Sequence, residues 1–309
     1  MIDGAAPGSG PTITGRPPEA QVDLVVDRKP EPPVSRPTYT PLFRAQHEDR
    51  YRRRDLISDY EAAFGCNLVV MIDQISEDSV TFFQDVLHGL DPTRDLHVLL
   101  CSPGGDGEVA IRLARMAQHS CRELVVLVPE IAKSAATIFA LAAHRIVMGA
   151  TSDLGPIDPQ VLVGKRGFVS AKDLIGAVER AMTDVAERPD TYPLHAAMFG
   201  GIDSTVVEFA RSALARADQM ARQAISSNPD RDTAAVDTMC RAIGDALIND
   251  PSSHGAVIGA TEARRIGLPV VELASTRVRA ATSAGSTVSG PQQCRVAPAI
   301  RRSHERVRL

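Results

Sequence analysis

Two short motifs hold residues of the type and order that acyl transfer needs. The first is Ser102-Pro103-Gly104-Gly105-Asp106 and the second is Ala132-Lys133-Ser134-Ala135-Ala136. Each follows an apolar, β-branched run and opens a stretch with helical patterning, so both read as strand-to-helix corners of one sheet. Gly104 and Gly105 lack a Cβ and let backbone N–H groups approach a substrate closely. Ser134 supplies a hydroxyl beside the unpaired N–H donors of a first helical turn. Together they form the layout of a nucleophile next to an oxyanion hole. Each corner also has a plainer reading, a capped βα turn at Asp106 and an N-cap serine at Ser134. Order, spacing and flanking strands together favour a serine hydrolase.

A serine hydroxyl needs a base. His97 and His119 lie upstream on other elements, His144 lies at the far end of the helix that Ser134 opens, and His195 and His254 lie well downstream. None has a clear aspartate to orient it. Lys172, in Val169-Ser170-Ala171-Lys172-Asp173, is the better candidate, because a lysine desolvated in a cleft loses pKa and can accept a proton. An exposed first-turn helix lysine is its plain alternative. Lys133 ranks second, since its side chain should diverge from that of its neighbour Ser134.

The elements that must position these groups follow from periodicity. Strands are expected at Leu68–Ile72, Leu96–Cys101, Leu124–Val128 and Arg145–Met148, with a last extended segment at Val270–Leu273. Helices are expected at Arg50–Phe64, Asp78–Leu90, Gly107–Gln118, Ser134–Ala143, Ala171–Met182, Ser204–Ser226 and Thr261–Ile266, and a loop at Gly149–Pro159. Such alternation implies right-handed βαβ units and a largely parallel sheet.

Composition bounds the rest. The 309 residues are 44% hydrophobic with a net charge of −4. Residues 1–40 are rich in Pro, Gly and charge and are expected to be disordered, as is a basic tail at 275–309 that includes Arg301, Arg302, Arg306 and Arg308. One domain, 41–274, remains. The net charge gives no global nucleic-acid signature. Cys66, Cys101, Cys121, Cys240 and Cys294 lack metal-type spacing and fit a reducing cytoplasm. No stretch reaches membrane-span length, and the N-terminus lacks a secretory signal. No cofactor or metal is expected, and no Gly-rich dinucleotide fingerprint follows a strand.

The Ser102–Gly105 turn, the Lys133–Ala136 corner, Ala143–Gly149, Ser152–Gln160, Arg54–Tyr60 and the late segments His254–Ile258 and Glu262–Leu268 resemble the Clp-protease/crotonase superfamily. They resemble most the serine dehydrogenase proteinase family and its signal peptide peptidase A type relatives. The resemblance covers about residues 40 to 273. It implies an α/β spiral of repeated ββα units and a soluble serine peptidase using a Ser–Lys dyad through an acyl-enzyme. Ser134 would be the nucleophile and Lys172 the general base. Gly105 and Ala135 would donate to the oxyanion, with Gly104 shaping the turn. The substrate would be a peptide or an unfolded protein, and the assembly a homo-oligomer. The position of a Clp-type catalytic histidine falls near Asp158, which does not support a Ser–His–Asp triad. Two other classes would carry the same corners with a different role. One is a coenzyme-A-dependent hydratase or isomerase recruiting Glu108 with Asp153 or Asp158 as acid and base. The other is a non-catalytic assembly protein of the same fold.

Overall fold

The computed structural model describes residues 40–164, 167–249 and 257–272. The expected disorder of 1–39 and 275–309 and the residues Lys165, His254 and Cys294 lie outside the described residues. The chain divides into two units at Arg52–Arg53. The described part of the first, residues 40–52, holds α1 (Pro41–Gln46) and the opening of α2 (Glu48–Phe64). Everything below concerns the second unit.

Its centre is a five-stranded parallel sheet. In chain order come β1 (Asn67–Ile72), α3 (Glu77–His88), β2 (Leu96–Cys101), α4 (Gly107–His119) and β3 (Leu124–Val128). Then follow β4 (Ile131–Ala132), α5 (Ala135–Leu141), β5 (Arg145–Met148) and β6 (Asp153–Leu154). The sheet order is β1-β2-β3-β5, closed by β9 (Val270–Glu272) against β5. Every pair in it is parallel.

A second, minimal layer of strand pairing lies just past the ends of the main strands. Ile75 bridges Gly105, Ser102 bridges Ala132, β4 pairs with β6, and Leu154 bridges Ile258. Each of the first four main strands is thus followed by a short second one, and three of these by a helix, giving β1–Ile75–α3, β2–Gly105–α4 and β3–β4–α5. This is the ββα repeat that the resemblance implies, and the fold is α/β with a parallel sheet.

Local chemistry explains the boundaries. The Asp106 carboxylate accepts from the N–H groups of Glu108 (2.8 Å) and Val109 (3.2 Å), which fixes where α4 starts. Leu96, Val98 and Leu100 of β2 are fully buried, because helices cover the sheet. All seven residues of α5 are small or apolar and buried, so this helix runs through the core.

Beyond β6 the chain forms a hairpin, β7 (Gln160–Leu162) and β8 (Phe168–Ser170), then α6 (Ala171–Glu187), α7 (Tyr192–Met198), α8 (Ser204–Ser226), α9 (Thr233–Ile243), a π-helical turn (Gly244–Asn249) and α10 (Ala260–Arg265). Val161, Val163, Ala171, Leu174 and Ala210 make a small second core between the hairpin, α6 and α8.

Several expectations shift. The segment read as a loop at Gly149–Pro159 contains β6, whose two residues are too few to show periodicity. The hairpin, α7 and α9 were not legible either. α6 runs five residues past Met182, to Glu187.

Candidate active site

The Ser134 corner is the sharpest local feature of the fold. Ser134 has φ 50° and ψ −114°, and among the described residues it is the only non-glycine with positive φ. Such a conformation costs on the order of 1–3 kcal/mol and persists only where neighbours impose it. Its side chain makes no capping hydrogen bond to α5. Ser134 thus stands at the N-cap position without using its hydroxyl to cap the helix. The helix itself begins one residue later, at Ala135.

The neighbours that impose the turn are identifiable. The Lys133 N–H donates to Ser102 O (3.1 Å), and Lys133 O accepts from the Ala136 N–H (2.9 Å). The Gly155 N–H donates to Ala132 O (2.8 Å). Thr137, fully buried on α5, has its hydroxyl 2.7 Å from Ala132 O and 2.8 Å from Gly155 O. One hydroxyl thus ties the corner to the strand that crosses it.

The glycine corner packs directly against this turn. Gly104 and Gly105 have φ 108° and 138°. A Cβ on Gly104 would lie 2.7 Å from Lys133 O, 2.9 Å from Ser134 Cβ and 3.4 Å from the Ala135 nitrogen. A Cβ on Gly105 would overlap Ile75 O. Both positions are closed to side chains. The bridge to Ile75 uses Gly104 O and the Asp106 N–H, at 2.8 and 2.9 Å. The Gly105 N–H takes no part in that bridge. The Ala135 N–H belongs to the first helical turn, outside the intrahelical ladder. The structure thus brings Gly104, Ser134 and Ala135 together, with Gly105 beside them.

Lys172 is the second residue of α6 and is half-buried. Its turn is anchored twice to the segment that follows β6. The Ala171 N–H donates to Pro159 O (2.9 Å), and the Ser170 hydroxyl donates to the buried Asp158 carboxylate (2.8 Å). The same Ser170 oxygen caps α6 through the Asp173 N–H (3.3 Å). Gln160 Nε2 donates to the other Asp158 oxygen (2.8 Å).

The second lysine is committed elsewhere. Lys133 Nζ pairs with Asp153, and only 17% and 12% of the two side chains are exposed. The remaining polar candidates are held too. Glu108 is paired with Arg216 at the surface. Cys101, one residue before the glycine corner, is a free thiol that burial pushes above its ordinary pKa, so it stays protonated. His144 accepts the Leu124 N–H at Nδ1 (2.9 Å), which places it at the opposite end of α5 from Ser134. His195 pairs with Asp184 of α6. Sequence reading missed Thr137 and Gly155 as supports of the elbow. Neither carries a spacing signal, because each acts through a contact made by a different strand.

Among the described residues no group of His, Cys, Asp and Glu could hold a metal ion, and no helix is long and apolar enough to cross a membrane.

Residues 49–188 match the family model of the ClpP-like SDH-type serine proteinases. A curated relative, an uncharacterized protein of Methanocaldococcus jannaschii, is 33% identical over 94 residues, which are 30% of this chain and 31% of the relative. The chain thus matches about a third of that relative's length. Among solved structures, a mutant of a membrane-bound stomatin-specific protease is similar at TM-score 0.41 and 15% identity, over 69% of this chain and 82% of that one. The ClpP protease catalytic domain of Plasmodium falciparum is similar at TM-score 0.27 and 13% identity, over 31% of this chain and 57% of that one.

Proposed function

We propose, with the match of residues 49–188 to the ClpP-like SDH-type serine proteinases as the premise, that this chain is a serine peptidase acting through an acyl-enzyme. Ser134 is the nucleophile and Lys172 the general base. The observation that carries the reading is the elbow. A serine held at φ 50°, with no capping bond for its hydroxyl, sits against a glycine turn that admits no side chain. Strain of this kind is kept where it serves a site.

In the mechanism, Lys172 Nζ takes the Ser134 Oγ proton as Oγ attacks the scissile carbonyl carbon. The carbonyl oxygen gains the negative charge and is met by the N–H groups of Gly105 and Ala135, with Gly104 shaping the turn. As the tetrahedral species collapses, the C–N bond breaks and the Lys172 proton passes to the leaving amine. Water, deprotonated by Lys172, attacks the acyl carbon and releases the acid and free Ser134. Lys133 is the less favoured base because its ammonium is held in an ion pair with Asp153.

The substrate class is a peptide or an unfolded protein, in keeping with the match to a serine proteinase family. A homo-oligomer is supported by Leu162 and Phe168, cross-strand partners on β7 and β8 that are both exposed. A cytoplasmic location is supported by free thiols at Cys66, Cys101, Cys121 and Cys240. The hydratase alternative has less support, since Glu108, Asp153 and Asp158 are each engaged by Arg216, Lys133 and Ser170.

A fluorophosphonate probe tests the assignment. Wild-type protein is expected to be labelled at Ser134, Ser134→Ala to lose labelling, and Lys172→Ala to lose about a hundredfold or more in rate. Lys172→Arg is expected not to rescue, because a guanidinium stays protonated. Normal labelling of Ser134→Ala would exclude the nucleophile, and normal labelling of Lys172→Ala would exclude the base and leave a non-catalytic or different role for α6.

A further inference from the structure

The Lys133–Asp153 pair sits one residue from the elbow, yet no step of the mechanism uses it. Its surroundings are unusually constrained. A Cβ on Gly155 would overlap Lys133 Cδ and stand 3.1 Å from both Lys133 Cα and Cγ, so the lysine stem lies flat across the Gly155 backbone. The ammonium meets the Asp153 carboxylate, which is itself fixed: Oδ1 accepts the Ile258 N–H (3.0 Å), and the residue lies in β6, paired with Ile131. Lys133 is therefore held at its N–H by Ser102, at its carbonyl by Ala136, and at its ammonium by Asp153. The peptide that leaves this clamped residue is the one that enters Ser134 at φ 50°.

We propose that Asp153 is a positioning residue for Ser134, acting through Lys133: the ion pair across Gly155 fixes the Lys133–Ser134 peptide and so aims the Ser134 hydroxyl. The pair also keeps the ammonium next to the nucleophile from turning toward it. The inference rests on the reading of Ser134 as nucleophile. It predicts that Asp153, Lys133 and Gly155 behave as one unit, because each contributes to the same clamp.

Two measurements on the full chain separate this claim from the reading beneath it. The first is hydrogen exchange of the segment 131–137, which reports the clamp without catalysis. The second is the rate of fluorophosphonate labelling at Ser134, with kcat and KM for a peptide substrate. In Asp153→Asn and Lys133→Gln, protection of 131–137 is expected to fall, labelling and kcat to drop about tenfold to a hundredfold, and KM to stay within about twofold. The double variant is expected to be no worse than either single. Gly155→Ala, which displaces the stem and leaves both charges in place, is expected to reproduce the loss. If Asp153→Asn does not fold, Asp153→Glu and Gly155→Ala carry the same comparison. Unchanged protection, losses that multiply, or reduced protection with normal labelling would each overturn the proposal. Absence of labelling in the wild type would instead refute Ser134 as nucleophile, and the clamp would then be judged by protection alone.

Discussion

Gly104 lies against Ser134 so closely that a methyl group on the glycine would stand 2.9 Å from the serine Cβ. Two corners on different strands therefore share one surface, and the shape of each depends on the other. Gly104→Ala is expected to keep the α/β fold but to displace the elbow, lowering Ser134 labelling at least about tenfold. The strain at φ 108° should also cost on the order of 1–3 kcal/mol in stability. Labelling kinetics and urea unfolding check this together.

Ser134 itself should be a stability cost. Ser134→Gly relieves the positive φ, whereas Ser134→Ala keeps a Cβ there. Even after the entropy of glycine, Ser134→Gly should be more stable than Ser134→Ala by roughly 1 kcal/mol, and both should be inactive. Equal urea midpoints would show that the turn is not strained.

Thr137 should matter out of proportion to its size. Thr137→Val keeps the shape and removes the hydroxyl that Ala132 O and Gly155 O share, costing about 1–3 kcal/mol. Thr137→Ser, which retains the hydroxyl, should cost less. Thermal unfolding of the two variants separates the hydrogen bond from the packing.

His97 predicts a pH dependence away from the site. Burial lowers its pKa below 6.5, and its Nδ1 shares a hydrogen bond with the Tyr60 hydroxyl at 2.8 Å. The unfolded chain then takes up a proton near pH 6.5 while the folded one does not. Stability should be full above that value, fall as pH drops through 6.5 toward the lower folded pKa, and level off beneath it. Asp95, held below the usual carboxylate range first by its hydrogen bond from Arg122, acts only at lower pH. Melting temperatures from pH 8 to 5 should show the drop in wild type and lose it in His97→Gln.

Oligomerisation is checked by light scattering. If Leu162 and Phe168 are buried between copies, Leu162→Lys with Phe168→Glu should lower the assembled mass without lowering the stability of the subunit.

The main strands and the two corners were legible because their signals are local. Each strand is a compact apolar run, and glycine and serine at its end mark the turn. The position of Lys172 on the first turn of a helix was legible for the same reason. The second layer was not. β4 and β6 are two residues each, too short for any period, and they exist because parallel neighbours bring Ile131 and Asp153 together. The hairpin at 160–170 is likewise held by pairing and by the small core beneath α6 and α8.

By itself, then, the sequence determined an α/β chain with a glycine turn and a serine at adjacent strand ends, since those features depend on neighbours in the chain. Only the tertiary structure decided that Ser134 stands at positive φ with an uncapped hydroxyl, and that Lys133 is tied to Asp153. Both follow from contacts between segments far apart in sequence, where packing and pairing override what each residue would do alone.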